Sequence, residues 1–463
     1  MSASLFSSAP LNPGYGFSLF PALFLFTVFL CVPHLAYSAC GKPPIIFNFG
    51  DSNSDTGGIV AGLGIPVRLP NGRTFFGRST GRLCDGRLVI DFLCQSLNTS
   101  LLNPYLESLG SSFSNGANFA IAGSATLPKR VPFALNIQVM QFMHFKDRSA
   151  ELAATGANHL IGYDRFGDAL YMIDIGQNDL ADSFAKGLSY VQVVKKIPSV
   201  LAEIKNAVKN IYERGGRKFW VHNTGPLGCL PQKLALAKNI SHDLDSFGCI
   251  SSYNDVAKLF NEGLRQISVE LRSEMEDATI VYVDMYTIKL DLIANSTKYG
   301  FSSPLMACCG SGGPPYNYER GISCGFPGYQ VCDQSSQSVS WDGVHYTQAA
   351  NALIASKILS TDYSTPPVIV AGVMVDAWAQ KRQSLLNGAT VGALRLLVVR
   401  PLDTMFCPKI DSFVWTSTVE NATSLKSPVP AASSAAATAA FADTELSKED
   451  DDEVADSFLF DAG

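Results

Sequence analysis

Five short runs rich in apolar and β-branched residues, separated from one another by longer amphipathic stretches, constrain this chain more than any other feature. They are Ile45 to Phe49, Asn118 to Ala122, Ala169 to Ile175, Lys218 to His222 and Thr279 to Asp284. Short apolar runs bounded by turn residues read as strands, and strands that alternate with helices need crossover connections, which implies a parallel sheet. Tyr190 to Arg214 predicts one such helix: Val191, Val194, Ile197, Leu201, Ile204 and Val208 recur at helical spacing, and Gly215-Gly216 supplies the stop. Ser251 to Met275 predicts another. With 47% hydrophobic and 16% charged residues in 463, the chain is too apolar to be disordered throughout.

The two ends differ from this body. Ser18 to Val32 is apolar and uncharged, too short for the roughly 20 residues of a membrane span, and Ala36-Tyr37-Ser38 follows as a small-x-small cleavage pattern. Residues 1–38 therefore read as a secretory signal. The first 17 residues lack Lys and Arg, so an uncleaved anchor and a start placed too early stand as alternatives. Residues 1–367 carry 28 Lys+Arg against 28 Asp+Glu, and residues 368–463 carry 7 against 13. A neutral body without a basic cluster excludes the electrostatic footprint of a nucleic-acid binder. Beyond Pro367 come apolar segments too short to span a bilayer, an Ala/Ser-rich stretch from Pro428 to Ala442 and an acidic run from Glu449 to Glu453. That composition predicts a largely disordered extension after a 39–367 domain.

Export agrees with the cysteines. Cys40, Cys84, Cys94, Cys229, Cys249, Cys308, Cys309, Cys324, Cys332 and Cys407 follow the signal, and their spacing matches no zinc ribbon. Connectivity does not follow from spacing; Cys229 with Cys249 is the one pairing ventured. Gly300 to Ser340 lacks periodicity and reads as a long loop held by disulfides. The sequons at Asn98, Asn239, Asn295 and Asn421 are candidate glycosylation sites.

In open parallel sheets ligands bind beyond the carboxyl ends of the strands, so motifs placed after strands carry the chemistry. The first strand runs into Gly50-Asp51-Ser52-Asn53-Ser54-Asp55, where Ser52 can aim its hydroxyl and its own N–H into the crevice, or merely cap the next helix. A serine hydroxyl needs a base. Of six histidines, His34 lies in the signal, His144 and His159 in an expected amphipathic helix, His222 at a strand end and His242 in a polar loop. His345 remains, in Ser340-Trp341-Asp342-Gly343-Val344-His345, just before a helix from Ala349 to Leu359. An Asp three residues before a His can fold onto Nδ1–H and leave Nε2 free to take a proton; a capping Asp beside a surface His is the plainer reading of that spacing alone. Gly116 and Asn178, from Asn115-Gly116-Ala117-Asn118 and Gly176-Gln177-Asn178-Asp179, could supply oxyanion donors, or be a turn glycine and a capping asparagine. Gly77-Arg78-Ser79-Thr80-Gly81 matches the G-x-S-x-G elbow but follows a loop rather than a strand, so Ser79 is set aside.

The segments GDSNSDTGG, NGANFAIAG, IGQND and WDGVHYT, in this order, resemble the four blocks of the plant GDSL esterase/lipase family within the SGNH hydrolase superfamily. The resemblance covers residues 42 to 367, and RSTGRLCDGRLVIDFL, FWVHNTGPLGCLP and MACCGSGGPPYNY are similar to its early nodulin 8-like and α-fucosidase-like branch. It implies a three-layer α/β/α sandwich on a five-stranded parallel sheet. It also implies Ser52 as nucleophile, Asp342 and His345 as its partners, and Ser52, Gly116 and Asn178 as the oxyanion hole. Metal and cofactor are not expected. The function read from these residues is a secreted serine ester hydrolase acting on a small-molecule or glycan ester, without a stable membrane span or nucleic-acid partner; oligomeric state is not legible. An acyltransferase with the same triad, or an inactive glycan- or lipid-binding wall protein using Pro314-Pro315-Tyr316-Asn317-Tyr318, are the rival readings.

Overall fold

The computed structural model describes residues 44–367 apart from 130, 238–242 and 335–336. The expected signal, the 368–463 extension, Cys40, Cys407, His34, His242, Asn239 and Asn421 lie outside the described residues. The strands are β1 (Ile46–Gly50), β2 (Gly116–Asn118), β3 (Leu170–Asp174), β4 (Lys218–His222), β5 (Thr279–Val283), β6 (Cys309–Gly310), β7 (Gln330–Val331) and β8 (Ser364–Thr365). The central sheet has the order β2-β1-β3-β4-β5-β8. Its first five strands are parallel, as expected; the two-residue β8 adds an antiparallel edge on β5.

The helices used below are α1 (Gly58–Leu63), α2 (Val89–Ser96), α3 (Leu135–Ala154), α4 (Gln177–Ala185), α5 (Tyr190–Val194), α6 (Ile197–Glu213), α7 (Pro231–Leu236), α8 (Ser251–Glu274), α9 (Met285–Ala294) and α10 (Gln348–Leu359). Successive strand side chains point to opposite faces, and here both faces are apolar, as a covered parallel sheet requires. Phe47, Phe49, Tyr171, Phe219 and Ile280 face one layer, where α3, α6 and α8 contribute Phe142, Val208 and Phe260. Ile46, Met172, Trp220 and Val281 face the other, filled by Leu93 of α2, Ile288 of α9 and Ile354 of α10. This is a three-layer sandwich. Phe47 stacks on Phe166 with ring centroids 5.5 Å apart and meets Phe142 edge-on at 5.1 Å, so truncating it to Ala should cost about 3–5 kcal/mol.

Three expectations shift. The second strand is Gly116–Asn118, not Asn118 to Ala122. Gly116 pairs with Ile46, and a Cβ there would lie 1.8 Å from the Ile46 carbonyl oxygen, so only glycine permits this approach. Tyr190 to Arg214 is two helices, α5 and α6, interrupted at Lys195-Lys196. Pro198, in the first turn of α6, lacks the N–H that a continuous helix would have bonded to Val194. His159 lies past the end of α3, while His144 is on it and exposed. The Gly300 to Ser340 loop contains the small β6–β7 ribbon and is held by Cys308–Cys332 and Cys309–Cys324. Cys229 pairs with Cys249, and Cys84 and Cys94 are buried thiols.

Candidate active site

The register aligns Gly50 with Asp174 and Asp174 with His222, so β1, β3 and β4 end level at the carboxyl edge of the sheet. Strand order reverses at β1, whose neighbours are β2 and β3, and the crevice of such a sheet opens there. Gly50 turns the chain out of β1: its φ is +157°, and a Cβ would sit 2.3 Å from the Asp174 carbonyl oxygen. The Gln138 amide brackets it, accepting from Gly50 N–H at 2.9 Å and donating to Gly50 C=O at 2.8 Å.

Buried polar side chains then fix the loop that carries Ser52. Asn48 Nδ2 donates to Ser54 Oγ at 2.9 Å and to Asn118 Oδ1 at 2.7 Å, while Asn118 Nδ2 reaches Ser54 C=O and Thr56 Oγ1. The Asp55 carboxylate accepts from the N–H groups of Gly57, Gly58 and Ile59 at the start of α1, and from Ala122 N–H at 2.8 Å. The last bond ties the segment after β2 to the serine loop. Burial is the larger influence on Asp55 and raises its carboxyl above the ordinary range despite these donors.

Asp342 and His345 meet these residues from the far end of the sequence. His345 Nδ1 lies 2.6 Å from Asp342 Oδ2, and Asp342 Oδ1 accepts from the backbone N–H groups of Val344 and His345. Burial by itself would raise the Asp342 carboxyl, but the His345 ring and those N–H groups hold it below the ordinary range. A depressed carboxyl stabilises the fold above its unfolded pKa, and that contribution is lost as pH falls through the folded value. The turn is locked from behind: buried Trp341 donates through Nε1 to Asn71 Oδ1 at 2.8 Å, and its C=O accepts from Cys309 N–H.

Ser52, Asp342 and His345 line one cleft of about 610 Å³, together with Gly123, Leu83, Gln232, Tyr318 and Ile322. Ser52 Oγ and His345 Nε2 are both buried and have no hydrogen-bond partner among the described residues. Asn178 opens α4 just past β3, and its Nδ2 donates to Ser124 C=O at 2.9 Å, leaving its second N–H. Ser79 is elsewhere, in a loop with its hydroxyl on the Val67 carbonyl.

Gly116 is not brought to the cleft. It stands opposite Ile46, at the amino end of β1, and the strand between Ile46 and Gly50 spans about 13 Å at 3.3 Å per residue. Its N–H is bonded to Phe113 C=O. The residue that the fold delivers instead is Gly123, seven positions later in the same segment, next to Ser124 and with its N–H unbonded among the described residues. The signal for Gly123 was the carboxyl-end rule itself: the expected strand from Asn118 to Ala122 leaves Gly116 before its amino end and Gly123 just past its carboxyl end.

A second titratable cluster lies under the serine loop and was not foreseen. Asp174, His222, Lys289 and Tyr346 line a separate cavity with Asn48, Asn53 and Ser54. His222 Nδ1 is 3.7 Å from Asp174 Oδ2, and the Lys289 ammonium lies 4.7 Å from the Tyr346 ring centroid. Asp51 is buried with Oδ2 unpaired, and burial together with nearby Asp174 pushes its carboxyl up to about 7. Asp174 goes the other way: burial opposes it, but His222 and Lys289 hold it below the ordinary range.

Comparison with known proteins agrees with this arrangement. The family model of the GDSL-like lipase/acylhydrolases matches residues 46–358. A GDSL esterase/lipase of Arabidopsis thaliana is 66% identical over 332 residues, covering 71% of this chain and 89% of that protein. Alpha-L-fucosidase 3 of the same plant is 46% identical over 335 residues, 68% of this chain and 90% of the relative. The GDSL esterase/lipase ENOD8 of Medicago truncatula is 42% identical over 369 residues, 75% and 94%. A parallel sheet with its polar cleft at the carboxyl edge and a match across nearly the whole described domain lead to one conclusion: the chain belongs to the GDSL-like lipase/acylhydrolase family and is a carboxylic ester hydrolase.

Proposed function

We propose that this hydrolase works through a Ser52–His345–Asp342 triad and an acyl-enzyme. The observation that carries the reading is that Ser52 Oγ and His345 Nε2, both buried and both without a partner among the described residues, line the same cleft. Asp342 accepts from His345 Nδ1–H, which fixes the tautomer with Nε2 free to receive a proton. As Ser52 Oγ attacks the ester carbonyl, Nε2 takes its proton, and the oxyanion is received by the N–H groups of Ser52 and Gly123 and the amide of Asn178. The C–O bond to the alcohol breaks as His345 returns the proton to it. Water then attacks the acyl-serine through the same base and releases the acid.

Secretion is part of the proposal. Three disulfides among the described residues fit an oxidising compartment, and the sequon asparagines Asn98 and Asn295 are exposed for glycosylation. No described helix is long and apolar enough to cross a membrane. The test is fluorophosphonate labelling of the purified protein, comparing wild type with Ser52→Ala and Ser79→Ala. Labelling lost only in Ser52→Ala is the expected result; labelling that survives in Ser52→Ala, or is absent from the folded wild type, would refute the assignment.

A further inference from the structure

The cleft contains one more buried polar group without a partner, and it lies outside the triad. Gln232, in the first turn of α7, is 3% exposed, and its Oε1 has no donor among the described residues. Its Nε2 donates to the Tyr318 hydroxyl at 3.0 Å, which fixes the direction of the amide. Because the Tyr318 oxygen accepts that bond, its own proton is free to be donated. The pair therefore presents an acceptor and a donor side by side. In Asn71, the other amide lining the cleft, the oxygen accepts from Trp341 Nε1 and the nitrogen donates to Arg68 C=O, so neither atom is without a partner. A buried acceptor without a donor is unfavourable, and a bound ligand can supply the donor it lacks.

The position of the pair says which part of the ester it meets. Gln232 N–H donates to Gly343 C=O at 3.0 Å, and the Tyr318 ring packs on Gly343, in the middle of the turn that runs from Asp342 to His345. His345 hands its proton to the departing alcohol, so side chains flanking this turn border the alcohol. Two restraints hold them there: Tyr318 lies in the loop closed by Cys308–Cys332 and Cys309–Cys324, and α7 follows Cys229, which is bonded to Cys249. Apolar Leu83, Ala122, Ile322 and Val344 line the cleft beside the pair without a side-chain hydrogen-bonding group, and half-buried Ser323 adds a hydroxyl to the same lining.

We propose that Gln232 and Tyr318 read a free hydroxyl on the alcohol half of the substrate, with Gln232 Oε1 accepting its proton and the Tyr318 O–H donating to its oxygen. The substrates favoured are then partly esterified polyols and sugars rather than esters of hydrocarbon alcohols. The inference rests on the serine hydrolase reading above and deepens it.

The experiment uses two acetate esters that differ by one group, 2-hydroxyethyl acetate and propyl acetate, in which a terminal hydroxyl replaces a methyl. Values of kcat/KM per fluorophosphonate-labelled site are measured for wild type, Gln232→Leu and Tyr318→Phe. The hydroxyethyl-to-propyl ratio should fall roughly tenfold in Gln232→Leu and about threefold in Tyr318→Phe, the range for one neutral hydrogen bond. A ratio in Gln232→Leu equal to that of wild type overturns the proposal. If that variant yields no labelled enzyme, Tyr318→Phe decides by the same ratio, and an unchanged value again overturns it. Absence of labelling in wild type is a different failure, because it removes the serine reading rather than the hydroxyl reading.

Discussion

Two imidazoles stand beside carboxylates at the carboxyl edge of this sheet, and they differ in what surrounds them. His345 has its carboxylate three residues earlier, at 2.6 Å, and faces a cleft that contains a serine hydroxyl. His222 has its carboxylate on the neighbouring strand, at 3.7 Å, beyond hydrogen-bond reach, and shares a cavity with Lys289 and Tyr346 instead of Ser52. The first pair is set by a tight local turn and open to substrate; the second is set by strand register and packed beneath the loop. A His–Asp pair is thus common to both, and the neighbouring serine hydroxyl and the cleft distinguish them.

The largest effect that tests this contrast is on turnover. Ser52→Ala and His345→Ala should each lower kcat by roughly 10⁴-fold or more on an activated ester. His222→Gln should stay within about tenfold per active site; a collapse of kcat as deep as that of His345→Ala would erase the distinction. Next, Asn178→Ala should lose roughly 10²–10³ in kcat with KM little changed, since an oxyanion donor acts in the transition state. Wild-type turnover in that variant would remove Asn178 from the oxyanion site.

A smaller effect, on stability, sharpens the other side of the comparison. The Asp51 carboxyl titrates near 7 in the fold and near 4 when unfolded, so between these values the native state binds more protons and stability falls as pH rises. Asp51→Asn removes that titration. Melting temperatures at pH 5 and pH 8 should show the variant gaining on wild type by several degrees at the higher pH; an equal difference at both would show that the Asp51 carboxyl stays ionised throughout. Smallest of all, Ser79→Ala should leave kcat/KM within about twofold, because among the described residues its hydroxyl bonds the Val67 carbonyl, away from the cleft. A tenfold loss would bring the G-x-S-x-G loop back into consideration.

Much of this was legible from residues alone because it is local. The β1 run ends in Gly50-Asp51-Ser52, and Asp342 sits three residues before His345, so a strand end and a turn place both motifs without any knowledge of the fold. Other features escaped because they depend on contacts with distant segments or on a single residue. Gly123 reaches the cleft through the bond from Ala122 N–H to Asp55 in the serine loop, and Pro198 splits a helix whose apolar spacing runs through it unbroken. The Asp51–Asp174–His222–Lys289 cluster escaped as well, since its members come from three strand ends and a helix that have no sequence proximity.

The sequence by itself determined the alternation of strands and helices, the serine after β1, the pairing of His345 with Asp342 three residues earlier, and the family. Periodicity and short-range hydrogen bonding are encoded within a few residues, which is why these could be read. Only the tertiary structure decided which glycine reaches the cleft, which cysteines close the loop beside it, and that Gln232 meets Tyr318 beside the Asp342–His345 turn. Those depend on contacts between residues 15 to 86 positions apart, and such contacts are fixed by packing rather than by any local pattern.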